Sequence, residues 1–135
     1  MTPKSLLRHK DASSPLTEFT KGEFQTVIPE QDEALDPNKI ERLIVCSGKV
    51  YFDLVKQRSD KKIDNVAIVR IEQLYPFPHK AVANVIKTYQ NLTELVWCQD
   101  EPQNQGAWFF VQHNLLERSE EHTSELQSRQ YLVCR

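Results

Sequence analysis

Three short apolar runs constrain the fold of this chain more than any other feature of its sequence. They occupy residues 43–46, 66–71 and 94–99, and each is followed by a stretch whose apolar residues recur at three- and four-residue steps. Runs of this length fit strands that are buried on both faces of a parallel sheet. Because strand–helix repeats require right-handed crossovers, the helices must cover the faces of that sheet. The sequence therefore predicts an α/β fold.

The helices that follow these strands are predicted over residues 49–59, over residues 79–90 and from about Gly106 onwards. Val50, Leu54 and Val55 share one face of the first helix, as expected for a helix packed on a sheet. A complete domain of this class usually has more than three strands. We therefore expect the domain to be incomplete, with a last strand and helix missing.

Both ends of the chain lack this pattern. Residues 1–41 contain Pro3, Pro15, Pro29 and Pro37, so we expect an irregular arm there. Residues 118–135 begin with RSEEHTSELQS, which resembles a translated sequencing adapter, so we expect an artefactual or disordered tail. The truncated α/β domain is then predicted to span residues 42–117.

Composition excludes several classes of protein. A net charge of −2 argues against a nucleic-acid-binding surface, which would need an excess of basic residues. No apolar segment is long enough to cross a membrane. Three cysteines without paired spacing indicate neither a disulfide framework nor a zinc site, and they suit a reducing compartment.

No set of residues indicates catalysis. His9, His79 and His113 lie far apart in the sequence and lack the spacing of metal ligands. The nucleophile motif G-x-S-x-G is absent, and three glycines form neither a Walker A loop nor a dinucleotide-binding motif. We therefore predict no catalytic, cofactor-binding or metal-binding residue in this chain.

A polar loop follows the third predicted strand, where ligands usually bind in open α/β sheets. Its side chains can cap the next helix, brace the loop or contact another chain. Trp108-Phe109-Phe110 then places aromatic rings on more than one face of the helix, which suggests a covering partner or domain. We predict an interface or structural role for five residues of this region: Glu101, Asn104, Gln105, Gly106 and Trp108.

A second candidate site is Ser47-Gly48-Lys49, between the first strand and its helix. Free amides at the start of a helix can bind an anion, so these residues form a candidate regulatory ligand site. The simpler interpretation is a tight turn in which Gly48 allows close packing, and we favour it.

Four stretches of this chain resemble one enzyme family in the order in which that family uses them. They read MTPKSLLR at residues 1–8, CSGKVY at 46–51, VAIVRIEQLYPFP at 66–78 and WCQDEPQNQGAW at 97–108. The family is the decarboxylating first component of the 2-oxoglutarate dehydrogenase complex. The resemblance covers residues 1–117 and implies a transketolase C-terminal-domain-like fold. Because the family enzyme is several times longer, we expect a fragment.

The resemblance implies a thiamine-diphosphate enzyme that uses magnesium, oxidatively decarboxylates 2-oxoglutarate and transfers succinyl to a lipoyl group. Its implied partners are a second copy in a homodimer, the dihydrolipoyl succinyltransferase component and the dihydrolipoyl dehydrogenase component, with no nucleic acid and no membrane. The family's thiamine and magnesium motifs lie upstream, so we expect this chain to bind neither group and to be inactive alone. Some family members carry an acyl-coenzyme A site on this domain, to which Ser47, Gly48 and Lys49 would contribute. The implied location is the cytoplasm of a bacterium or the mitochondrial matrix of a eukaryote.

One alternative remains open at this point. The chain would then be a stand-alone α/β binding module that docks on a dehydrogenase complex or binds an anionic ligand at Ser47-Gly48-Lys49.

Overall fold

A computed structural model describes the backbone of residues 4–122 and 132–134, and side chains within residues 4–117. The strands are β1 (Val27–Ile28), β2 (Arg42–Cys46), β3 (Val66–Ile71), β4 (Glu94–Gln99) and β5 (Leu132–Cys134). The helices are α1 (Leu16–Lys21), α2 (Val50–Lys61), α3 (His79–Thr88) and α4 (Trp108–His122), with short 3₁₀ turns at Lys4–Leu6, Lys10–Ala12 and Pro37–Lys39. None of the helices in these ranges is long and apolar enough to cross a membrane.

The strands form one sheet in the order β1-β3-β2-β4-β5. Strand β2 lies at the centre and pairs in parallel with β3 and β4, with Leu43 opposite Ala67 on one side and Leu95 on the other. Strand β5 is parallel to β4, whereas β1 is antiparallel to β3. The predicted α/β fold with a mainly parallel sheet and flanking helices is confirmed.

The structure adds two strands to the three that the sequence predicts. Strand β1 comes from the proline-rich arm and is only two residues long, too short to show a period-two pattern. Strand β5 comes from residues 118–135, where the sequence predicts an artefactual or disordered tail, and it pairs with β4. Helix α4 also continues past residue 117 to His122. The division at residues 41 and 117 stays a prediction.

The two faces of the sheet carry separate cores because successive side chains of a strand point to opposite faces. Val45, Val69 and Trp97 face α3 and α4, whereas Cys46 and Ile68 face α2. Three buried residues of α4, Trp108, Val111 and Leu115, form one apolar stripe that packs in the same core. The two cores hold the carboxyl ends of β2, β3 and β4 side by side, so the loops that follow these strands lie close together.

A buried ion pair ties the arm to the sheet. Arg58 on α2 is only 8% exposed and donates to both carboxylate oxygens of Glu30 and, at 3.2 Å, to the Val66 carbonyl. The Glu30 carboxylate also accepts a hydrogen bond from the Ile68 backbone N–H at 2.8 Å. The hydrogen bond to Glu30 raises the pKa of Arg58 against the opposing effect of burial. The pair therefore joins α2, β3 and the arm.

Cys46 and Cys98 lie opposite each other on the paired strands β2 and β4, and both side chains are buried. The Cys46 thiol lies 3.7 Å from the Val69 carbonyl, toward which it donates. Burial, and then the neighbouring Cys98, raise the pKa of Cys46 to about 12. Both residues pack as small apolar side chains, as the sequence indicates.

We expect Cys46 to resist alkylation in the folded chain. A pKa near 12 instead of 9.0 lowers the thiolate fraction at pH 8 by roughly a thousandfold, and the thiolate is the reactive form. Peptide mass spectrometry after iodoacetamide treatment, in buffer and in urea, measures the difference. Equal labelling rates in buffer and urea would contradict the expected resistance to alkylation.

The unfolded thiol ionises above pH 9.0 while the native thiol stays protonated. The free energy of unfolding should therefore fall as the pH rises from 9.0 toward about 12.

Candidate functional site

The loops after β2, β3 and β4 meet around one cavity of about 560 Å³. Its lining comes from all three loops and from the start of α4, and consists of Ser47, Gly48, Leu74, Tyr75, Trp97, Gln99, Glu101, Gly106, Ala107 and Phe110. The structure therefore brings members of both sequence-predicted sets, Ser47 and Gly48 on one side and Glu101 and Gly106 on the other, into a single site.

The topology explains why a cavity forms at this place. The chain passes from β2 to β3 on one side of β2 and then returns across β2 to β4 on the other. Helix α2 therefore leaves toward one face of the sheet and α4 toward the other. Loops that diverge in this way leave a crevice beyond the carboxyl ends of the strands, which is where open α/β sheets bind ligands.

Gln99, the last residue of β4, holds the loop that follows. Its side chain is 3% exposed and its amide nitrogen donates to the carbonyls of Glu101, Pro102 and Gln105 at 2.9–3.1 Å. Its amide oxygen accepts from the Trp97 indole at 2.9 Å. The two N–H groups of this amide are shared among three loop carbonyls, and its oxygen accepts from the indole N–H, which ties the loop to the end of β4.

The loop also depends on the backbone of Gly106. Its φ is +70°, a left-handed conformation that side chains disfavour, and a Cβ there would stand 3.1 Å from Gln99 Oε1 and from Glu101 Oε2. Gly48 shares the left-handed backbone with φ +77°, but a Cβ there would have no atom within 4 Å. The two glycines therefore differ in contacts and not in conformation.

We expect Gly106→Ala to lower the free energy of unfolding more than Gly48→Ala. The left-handed backbone costs about 1–2 kcal/mol in both variants. The crowding of Gln99 and Glu101 adds roughly 1 kcal/mol at Gly106 alone, because the four hydrogen bonds of Gln99 prevent it from moving aside. Urea titration of the two variants in parallel measures the difference. Equal losses would show that the loop relaxes around the new methyl group.

The other members of the predicted loop set take different positions. Trp108 is buried in the core that α4 forms with the sheet, so its role is packing within the domain. Asn104 and Gln105 are exposed, and within the described residues neither side chain makes a hydrogen bond that caps α4. Their predicted role at an interface stays a prediction.

The turn at Ser47-Gly48-Lys49 opens α2 as predicted, with Lys49 as its N-terminal flanking residue. The Lys49 ammonium lies 3.7 Å from Asp100 Oδ2, so it bridges the loop after β2 to the loop after β4. Glu101, which lines the cavity, adds a negative charge on this side. The predicted anion site stays a prediction, and the charges around it do not favour it.

Sequence reasoning missed two residues of this site. Gln99 was assigned to the strand without a role, although a glutamine at the end of an apolar run is an unusual residue to bury. Tyr75 occurs in the sequence analysis only within the stretch VAIVRIEQLYPFP, yet its ring is 82% exposed and lies at the cavity mouth. Its ring centroid is 6.0 Å from that of Phe110, which is also exposed.

The histidines lie apart from this cavity. His9 packs against the ring of Phe52, His79 against that of Phe77, and His113 is exposed on α4. Among the residues that the structure describes, no three His, Cys, Asp or Glu side chains are placed to hold a metal ion.

A family model described as 2-oxoglutarate dehydrogenase C-terminal matches residues 13–135 of this chain. The match includes residues 118–135, for which the sequence predicts an artefactual or disordered tail. Among curated proteins, a 2-oxoglutarate dehydrogenase E1 component of Cupriavidus necator is 63% identical over 117 residues. Proteins of the same name from Azotobacter vinelandii and Haemophilus influenzae are 53% and 55% identical over 126 and 114 residues.

The three alignments cover 87%, 93% and 84% of this chain but only 12%, 13% and 12% of the respective relatives. The similarity is therefore continuous over nearly the whole chain, and it concerns a small part of much longer proteins.

Proposed function

Because this chain belongs to the 2-oxoglutarate dehydrogenase C-terminal family, we propose that it serves as the C-terminal domain of a 2-oxoglutarate dehydrogenase E1 component. In this proposal the whole enzyme oxidatively decarboxylates 2-oxoglutarate and transfers succinyl to a lipoyl group. The domain contributes to dimer assembly and to structure, and other parts of the polypeptide perform the chemistry. The bacterial relatives favour a bacterial cytoplasm as its location.

One observation carries the structural role of the domain. Two exposed aromatic rings, Tyr75 and Phe110, line the cavity beside the loop that Gln99 holds, and Phe109 exposes a third ring in the first turn of α4. A grouping of exposed apolar rings beside a rigid polar loop is typical of a surface that another polypeptide covers. We infer that the rest of the E1 component, or its dimer partner, covers this edge.

Thiamine diphosphate and magnesium belong to the whole enzyme in this proposal. The described residues do not fit a magnesium site, since they contain no suitable group of three potential ligands. No step of the reaction is therefore assigned to residues of this chain. The dihydrolipoyl succinyltransferase and dihydrolipoyl dehydrogenase components are proposed as partners of the whole enzyme.

A chimera tests the proposal. The 117 residues of this chain that align with the Cupriavidus necator E1 component replace the aligned segment of that protein, and the purified chimera is assayed with 2-oxoglutarate, thiamine diphosphate and magnesium. We expect the chimera to be active and dimeric, and the 135-residue chain alone to be inactive. Turnover by the chain alone would refute the assembly role.

A pair of variants in the chimera separates the aromatic edge from general surface changes. Phe109→Ser removes an exposed ring of α4, and we expect it to weaken the dimer or the activity of the chimera. Lys87→Ser changes an exposed residue of α3 and should alter neither. Equal behaviour of the two variants would argue against an interface at this edge.

A further inference from the structure

The mouth of the cavity offers aromatic faces to a ligand. Tyr75 is 82% exposed and Phe110 is 44% exposed, and their rings meet edge to face at 63°. Leu74, Ala107 and Trp97 line the space behind them. Aromatic faces carry negative charge density, so they attract a cation that lies over them.

The charged residues at the cavity mouth also favour a cationic ligand. Glu101 lines the cavity, is exposed and forms no ion pair within the described part of the chain. Its neighbour Asp100 already pairs with Lys49 at 3.7 Å. None of the ten lining residues carries a positive charge, so the cavity combines one unpaired carboxylate with open aromatic faces.

We propose that this cavity binds the arginine side chain of a neighbouring polypeptide segment. A guanidinium is planar, stacks on aromatic rings and donates two parallel hydrogen bonds to one carboxylate, here that of Glu101. The apolar arginine stem would lie against Leu74 and Ala107. This inference rests on the proposed function, since it names the chemistry of the segment that covers the aromatic edge.

Other ligands fit the cavity less well. A phosphate-bearing ligand would face the Glu101 carboxylate and meet no cation among the lining residues. A purely apolar side chain would leave the Glu101 carboxylate partly desolvated and without a partner, which costs free energy. The apolar stem of arginine can pack on the apolar lining, while its flat guanidinium can stack on a ring and pair with the carboxylate.

A titration of the ¹⁵N-labelled 135-residue chain tests the proposal. The probes are N-acetyl-L-arginine amide and N-acetyl-L-citrulline amide, which has nearly the same shape without the charge. We expect the arginine probe to shift the Trp97 indole and Gly106 amide signals with a Kd on the order of millimolar. The citrulline probe should bind at least about fivefold more weakly, because it loses both the ion pair and the cation–π contact.

Three variants locate the binding. Glu101→Gln and Tyr75→Leu should each weaken the arginine probe by about two- to fivefold. Glu33→Gln removes an exposed carboxylate elsewhere on the arm and should leave the Kd unchanged. If a variant fails to fold, the comparison of the two probes on the unaltered chain still decides.

The proposal is overturned if citrulline binds as tightly as arginine, if no signal at the cavity shifts, or if adenosine monophosphate binds there more tightly than either probe. None of these results would bear on the chimera, whose activity and dimerisation test the assembly role separately.

Discussion

Replacing Arg58 with methionine is expected to lower the free energy of unfolding by about 3–5 kcal/mol, the cost of breaking a buried ion pair on one side. The variant leaves the Glu30 carboxylate buried without its cation, and it also removes the donor to the Val66 carbonyl. Domains are stable by only about 5–15 kcal/mol, so a loss of this size should be visible as a large shift of the urea midpoint.

Two controls show whether the uncompensated charge causes the loss. Arg42→Met breaks an ion pair with Glu94 in which the arginine is 52% exposed, and it should cost no more than about 1 kcal/mol. Adding Glu30→Gln to Arg58→Met removes the stranded charge but keeps an oxygen that can accept from Ile68, so part of the stability should return. Equal effects of Arg58→Met and Arg42→Met would refute this explanation.

Gln99→Glu is expected to be the second severe substitution, although it changes only an amide into a carboxylate. The new oxygen faces the carbonyls of Glu101, Pro102 and Gln105, to which the amide nitrogen donated. A buried charge without a partner costs about 3–5 kcal/mol, and each carbonyl left without a donor adds to this. Urea unfolding at neutral pH measures the loss.

The same chemical change four residues later provides the control. Gln103 is exposed in the same loop, and Gln103→Glu should change stability by less than about 0.5 kcal/mol. In the Gln99→Glu variant the backbone amides of residues 101 and 103–105 should also exchange with solvent faster, because the loop loses the hydrogen bonds from Gln99. Unchanged exchange would mean that the loop is held by other contacts.

The centre of the fold could be predicted from sequence because periodicity and burial agree there. The residues of β3 and β4 match the predicted runs at both ends, and α2 and α3 match their predicted stretches within two residues. Strand β1 could not be predicted, since its two residues pair only because Val27 and Ile28 meet β3 across more than forty intervening residues. Pairings of that kind leave no local pattern.

The site was predictable in outline and not in detail. The rule that ligands bind beyond the carboxyl ends of parallel strands pointed to the loop of Glu101, and Gly48 was a separate candidate; the structure places both on one cavity. The hydrogen bonds of Gln99 and the outward position of Tyr75 depend on distances between loops. The spacing of residues and the composition of the chain do not predict distances between loops.

The way the arm lies along β3 has a consequence for aggregation. An outer strand normally presents free N–H and C=O groups to which another chain can pair. Here Val27 and Ile28 cover the last part of β3, Thr26 accepts from Glu72 and Gln73, and the Glu30 carboxylate takes the Ile68 N–H that a longer strand would have taken. The arm therefore protects the edge of β3 from pairing with another chain. Proteolysis within the arm would expose the backbone N–H and C=O groups of β3, to which a strand of another chain could then pair.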